Sequence, residues 1–185
     1  PHFMSEVVVC SLVIMMLDRA NGPINNLIAA LGGERVAFMT DPNSFASIYV
    51  WSGVWQNLGW DSILFISALA SISPEVVEAA RIDGASRMQI IRHVNIPGIL
   101  PTIAITFIMR TGGLLSVGHT KIFLLQNDLN LDASQVISTY VYNIGLVDGQ
   151  YSYSTAIGLF NNLANILVLL LANRIVKKTT ETGLF

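Results

Sequence analysis

Between residues 149 and 173 the chain carries no charged side chain, and charge returns only at Arg174, Lys177 and Lys178. A helix needs about 20 mostly apolar residues to cross the hydrocarbon core of a bilayer. Inside that core every backbone polar group must be bonded within the protein, which makes a helix the natural state of such a run. Three other stretches share its character. Residues 3–17 are apolar but short and include Glu6; residues 42–74 contain a long run whose single charge is Asp61; residues 99–117 are interrupted by Arg110. Charged residues make up 12% of the chain and hydrophobic ones 52%, whereas a soluble domain carries about 25% charge. Too little charge remains to coat a soluble surface. The expected fold is all-α: a polytopic transmembrane helical bundle over residues 1–185, seated in the lipid bilayer of a cell membrane.

Several functions are excluded at this point. A net charge of −2 supplies no basic field for nucleic acid. Cys10 is the sole cysteine, so an internal disulfide framework and a Cys-based zinc site are ruled out. His119 and Lys121 have no second His or Cys at ligand spacing, and no metal is expected. No Ser/His/Asp set is supported, so no catalytic residue and no cofactor is assigned. The apolar run near Pro1 lacks a basic leader and a small-residue cleavage site. It reads as the start of a fragment whose first membrane helices are missing.

Lysine and arginine placement orients the spans. With four crossings, the 75–93 connection and the C-terminal tail share one side, which holds Arg81, Arg87, Arg92, Arg174, Lys177 and Lys178. The other side holds Arg19, Arg35 and Lys121. The richer side is expected to be cytoplasmic.

That cytoplasmic connection has strong local signals. Ser73-Pro74 is a helix start, a hydroxyl cap followed by a residue that needs no amide partner at the first helical position. Glu75 and Glu78 favour the positive end of the helix dipole. Asp83-Gly84 ends the helix in a turn. A second short helix is expected from Ala85 to Val94, stopped by Pro97. Physics alone gives a helix–turn–helix at a membrane surface, with Ala79, Ala80 and Ala85 small enough to admit another surface. A DNA-reading role is excluded by its place between two spans.

The segment EAARIDGASRMQIIRHVNIP closely resembles the EAA loop of binding-protein-dependent ABC transporter permeases. That motif runs Glu-Ala-Ala, three residues, Gly, nine residues, then Ile-x-Leu-Pro. The match falls on Glu78, Ala79, Ala80, Gly84 and Pro97, with Asp83 and Ala85 in the common Asp-Gly-Ala core. Val94 and Ile96 replace the usual Ile and Leu. The segments GPINNL, TDPNSF, WQNLGWDS, FLLQN, VISTYVY and YSYSTAIGLFN extend the resemblance to the oligosaccharide branch of the maltose-type permeases, over essentially the whole chain. The resemblance implies a type I importer permease with a coupling helix within residues 74–97. It also implies its partners: an ATP-binding cassette ATPase dimer, a second permease subunit, an extracellular solute-binding protein and a sugar substrate. In that role Glu78 offers a charged contact, Gly84 the turn, and the three alanines the close approach. The sequence has no G-x-x-x-x-G-K-[ST] phosphate loop, so ATP hydrolysis is assigned to the partner. A non-transporting anchor or a membrane enzyme is the alternative, and the enzyme would need an intramembrane nucleophile or metal cluster.

Other polar residues allow two readings each. Arg110, within a span, costs roughly 2.5–3.5 kcal/mol on insertion scales unless it meets a partner or water. It either lines a sugar path or pairs with a fixed acid such as Asp61, and pairing is preferred. Asn161, Asn162 and Asn165, with Asn173 beyond, are candidates for the sugar path. Residues 162, 165 and 173 fall near one helix face, and bonding between helices is the preferred role. Tyr140, Tyr142, Tyr151, Tyr153, Trp51, Trp55 and Trp60 read as membrane-interface residues before sugar platforms. Asp128, Asp132 and Asp148 read as a solvated outer face.

Overall fold

The computed structural model describes residues 1–180, which form helices and connecting turns with no strand among them. In chain order the helices are α1 (Glu6–Leu17), α2 (Pro23–Ala30), α3 (Pro42–Ala70), α4 (Pro74–Ile82), α5 (Arg87–Gly98), α6 (Leu100–Gly112), α7 (His119–Leu125), α8 (Leu131–Ser134), α9 (Ile137–Val147) and α10 (Tyr151–Thr180). Packing divides the chain into two units. One comprises Pro1–Gly59 with Ser116–Asn161; the other comprises Trp60–Leu115 with the stretch from Asn162.

In the first unit, Cys10 of α1, Phe45 of α3, and Ile122 and Leu125 of α7 form a buried apolar cluster, flanked by Val13, Ile48 and Tyr49. The helix starts are locally encoded. Ser5 Oγ accepts from the Val8 amide at α1. At α3 the Asp41 carboxylate accepts from Ser44 Oγ at 2.6 Å and from the Asn43 amide at 3.1 Å. Those bonds, Ser44 first, hold the Asp41 carboxyl below the usual carboxylate range.

Two connections hold more structure than the sequence reading gave them. The 18–41 connection contains α2, opened by Pro23 at its first turn. The 119–148 connection is three short helices. Both are fixed by asparagines, Asn25 and Asn130 buried and Asn127 half-buried. Asn25 is fully buried; its Nδ2 donates to the carbonyls of Leu17, Asp18 and Val36, and its Oδ1 accepts from the Val36 amide at 2.8 Å. Asn127 and Asn130 both donate to the Met39 carbonyl, at 2.7 and 3.0 Å. A buried amide is tolerated when its bonds are made, and these side chains replace secondary structure as the frame of the lobe. Lys121 is also buried rather than presented on an outer face. Its Nζ donates to the Tyr49 carbonyl at 3.1 Å and lies 5.0 Å from the Tyr49 ring centre.

In the second unit α3 turns into α4 through 70°, and α5 into α6 through 60°. Ala104 and Ile108 give α6 its buried side. The sequence reading carried this span to residue 117, but the helix ends at Gly112. Its 13 residues reach about 20 Å, short of a core about 30 Å thick. The bent pair α5 and α6 together pass as one apolar span, as do α3 and α4, and Tyr151–Lys178 passes unaided. Only 11% of the apolar window of α10 is buried inside the chain. So much uncovered apolar surface fits a lipid or protein surrounding, not water.

Candidate docking loop

The loop between α3 and α6 is built from its ends inward. Ser73 Oγ accepts from the Glu75 amide at 3.3 Å, with Pro74 at the first position of α4. At the far end Gly84 takes φ +80°, the left-handed region that glycine occupies without cost. Its amide donates to the Arg81 carbonyl at 3.0 Å, and the Ala85 amide donates to Ala80 at 2.9 Å. These two bonds define a Schellman cap, with Asp83 as the last residue on the helix side.

α5 starts at Arg87, two residues later than the sequence reading placed it. Ser86 Oγ accepts from the Gln89 amide at 3.4 Å while Gln89 Oε1 accepts from the Ser86 amide at 2.7 Å. The Ser-x-x-Gln spacing is a capping box legible in the sequence. The expectation that Pro97 ends the helix is corrected. The chain stays helical through Pro97 because Ile91–Asn95 widens into a π turn, the Ile96 amide donating to Ile91. Pro97 has no amide to give the His93 carbonyl and its ring would crowd that oxygen; the wider turn makes the room. Regular bonding resumes where the Ile99 amide meets Asn95 at 3.1 Å.

The finished loop presents a mixed surface. Glu75, Glu78, Ala79, Asp83 and Gly84 are exposed, while Ala80 and Ala85 are half-buried. Ala80, Ala85 and Gly84, with Asp83, Gln89 and Ile90, line an open groove of about 270 Å³. Glu78 makes no ion pair among the described residues. Three apolar side chains that the sequence reading did not single out also stand outward: Ile82 at 86% exposure, Met88 at 70% and Val76 at 51%. Helical phase marks Ile82, five residues and 140° from the half-buried Val77. A solvated loop has no use for two such side chains at its tip, whereas a docking surface does.

The remaining candidates lie away from the loop. Arg110 Nη2 contacts Asp61 Oδ1 at 2.5 Å, the pairing that the sequence offered as one of its two readings. On α10, Asn165 and Asn173 are buried, Asn161 is half-buried and Asn162 is exposed. The face assignment through 162 is therefore corrected. Residues 161, 165 and 172 are four and seven apart and share the inward side, with Ala172 buried beside Asn173. Asn165 Oδ1 accepts from the Leu115 amide at 3.1 Å, just past the end of α6. Nearby Gly112 faces Leu169 so closely that an added Cβ would collide with it. No group of three or more His, Cys, Asp or Glu fit to hold a metal occurs among the described residues.

Comparison with known proteins adds a family to this geometry. The family described as "Binding-protein-dependent transport system inner membrane component" matches residues 4–181. The chain is 37% identical over 185 residues to the polygalacturonan/rhamnogalacturonan transport system permease protein YteP of Bacillus subtilis (strain 168). It is 40% identical over 185 residues to Protein LplB of the same organism. Each comparison covers 100% of this chain and 58% of the relative. Among solved structures, a chain of a bacterial alginate ABC transporter in complex with alginate pentasaccharide-bound periplasmic protein superposes with a TM-score of 0.94 at 40% identity. That match covers 100% of this chain and 64% of the other. The all-α fold is thus that of an ABC transporter permease.

Proposed function

We propose that this chain, which belongs to the family of binding-protein-dependent transport system inner membrane components, serves as one membrane domain of an ATP-driven importer of acidic oligosaccharides. The domain sits in the plasma membrane with the 74–97 loop and the C-terminus on the cytoplasmic side. The observation that carries the reading is the loop itself: two capped helices hold Glu78, Ile82 and Met88 outward beside a groove of small residues. The chain spans 58% of the length of the Bacillus relatives, so the activity of the whole protein is inferred through them. The substrate class follows YteP, a permease for polygalacturonan/rhamnogalacturonan, and the transporter for the acidic polysaccharide alginate.

In this reading an extracellular binding protein delivers the sugar, and a second permease completes the path. An ATP-binding cassette dimer seats the loop. The bends of 70° and 60° lay α4 and α5 across the ends of α3 and α6. A push on the loop is then transmitted to the spans through helices rather than through slack chain. Glu78 supplies a charged contact; Ile82 and Met88 supply apolar anchors; Ala79, Ala80 and Ala85 allow backbone approach; Asp83 and Gly84 make the turn; and Pro97 lies where the loop joins the span.

The test is a pair of variants, Glu78→Lys and Gly84→Val, in the assembled importer. Both should reach the membrane, lose co-purification of the ATPase and lower uptake at least tenfold, a loss of about 1.4 kcal/mol or more in coupling. Unchanged uptake in both removes the coupling role.

A further inference from the structure

We propose that Arg110 reads the carboxylate of an acidic sugar in passage, with Asp61 as the positioning residue that keeps the arginine extended and the complex short-lived. The inference rests on the importer reading above and names a residue for its substrate class.

Depth comes first. At 1.5 Å per residue, Asp61 lies about 13 Å along the axis from the end of α3 at Ala70, and Arg110 about 15 Å from the start of α6 at Leu100. Both helices bend sharply at those ends. With those bends at the edge of a hydrocarbon core about 30 Å thick, the pair lies near its middle. Yet the two side chains are 69% and 40% exposed. A charge at that depth must face a partner protein or a water-filled cavity, because lipid does not solvate it.

The contact geometry is equally specific. A guanidinium offers five N–H donors in a planar fork. Among the described residues, Arg110 makes one contact, from Nη2 to Asp61 Oδ1. An edge-on bidentate pairing would have occupied two donors; this one leaves most of the fork open. A sugar hydroxyl satisfies a single donor, but a carboxylate matches two at once, so the open fork favours a uronate over a neutral sugar.

Asp61 has a role beyond holding the side chain. A lone arginine facing a narrow passage would hold an anion, and passage requires binding weak enough to release. The Asp61 carboxylate cancels the net charge of the site, leaving directional hydrogen bonding without a deep electrostatic well.

The experiment measures uptake by the complete reconstituted importer for trigalacturonate and for its methyl-esterified, uncharged form. The ratio of variant to parent for each sugar cancels the preference of the delivering protein. Arg110→Gln should reduce the ratio for trigalacturonate at least tenfold more than the ratio for the ester, with Arg110→Lys in between. Asp61→Asn should lower the half-saturating concentration for the acid while slowing its maximal rate, a split that a merely structural pair would not give. The double variant Asp61→Asn with Arg110→Gln leaves no unpaired charge at this position, and it should move the ester while failing with the acid. Equal losses for both sugars, or none, overturn the role of Arg110. If the parent importer moves neither sugar, the importer reading fails and this assignment falls with it.

Discussion

The docking loop and the helical lobe around Asn25 and Asn130 are both connections between longer helices, yet they are held by opposite means. In the loop, each end is closed within two to five residues: Ser73 to Glu75, Ala85 to Ala80, Ser86 to Gln89. In the lobe the decisive bonds are distant in sequence, and Asn127 and Asn130 reach Met39 from 88 and 91 residues away. Local closure makes an element that forms its own shape. Distant closure makes a frame that stands or falls with its surroundings.

The sharpest way to break this contrast is Asn25→Leu. The substitution strands the Val36 amide and the carbonyls that Asn25 now satisfies, at about 1–3 kcal/mol for each buried group left unpaired. Thermal unfolding of the complex should shift down strongly, with loss of at least about 3 kcal/mol. A small shift would mean the lobe is not a cooperative frame.

In the loop the corresponding probe is Gly84. An added side chain meets nothing within 4 Å there, so any effect comes from φ +80°, about 1–2 kcal/mol for an ordinary residue. Gly84→Val should impair uptake with little change in global unfolding, and Gly84→Asn, which tolerates that region, should recover most of it. Equal impairment by both would assign the effect to bulk rather than conformation.

The weakest effect is expected at Lys121. Burial pushes its ammonium below the ordinary lysine range, opposed by nearby Cys10 and Glu6. The unfolded chain therefore binds the proton more readily, and stability should rise with pH between the lowered value and the ordinary one. Lys121→Met should flatten that slope in pH-dependent unfolding, while loop variants leave it unchanged. An unaltered slope would show that the lobe does not feel this burial.

The same contrast explains what was legible in the sequence. Ser73-Pro74 and Asp83-Gly84 announce their structure because a cap and its partner are neighbours. The Ser86–Gln89 box is equally local. The apolar spans were readable from charge, and Asp61 was a visible partner for Arg110. Distant pairings leave no such trace: nothing around Asn130 names Met39. Pro97 misled because proline usually ends a helix, and the π turn that accommodates it is a property of the whole segment. The asparagines of α10 needed finer phase arithmetic, since Asn165 shares its face with residues 161 and 172 more closely than with 162.

The π turn at Ile91–Asn95 also works as a gear tooth. Each residue of an α-helix advances the azimuth by about 100°, so the extra residue in that turn sets the angle at which α6 leaves the loop. Deleting one residue there would keep every side chain of the docking surface and every apolar residue of the span. It would nonetheless turn Arg110 about a quarter of the way round its axis, away from Asp61. The length of this segment is thus a setting in its own right, joining the orientation of the loop to the direction in which the arginine looks.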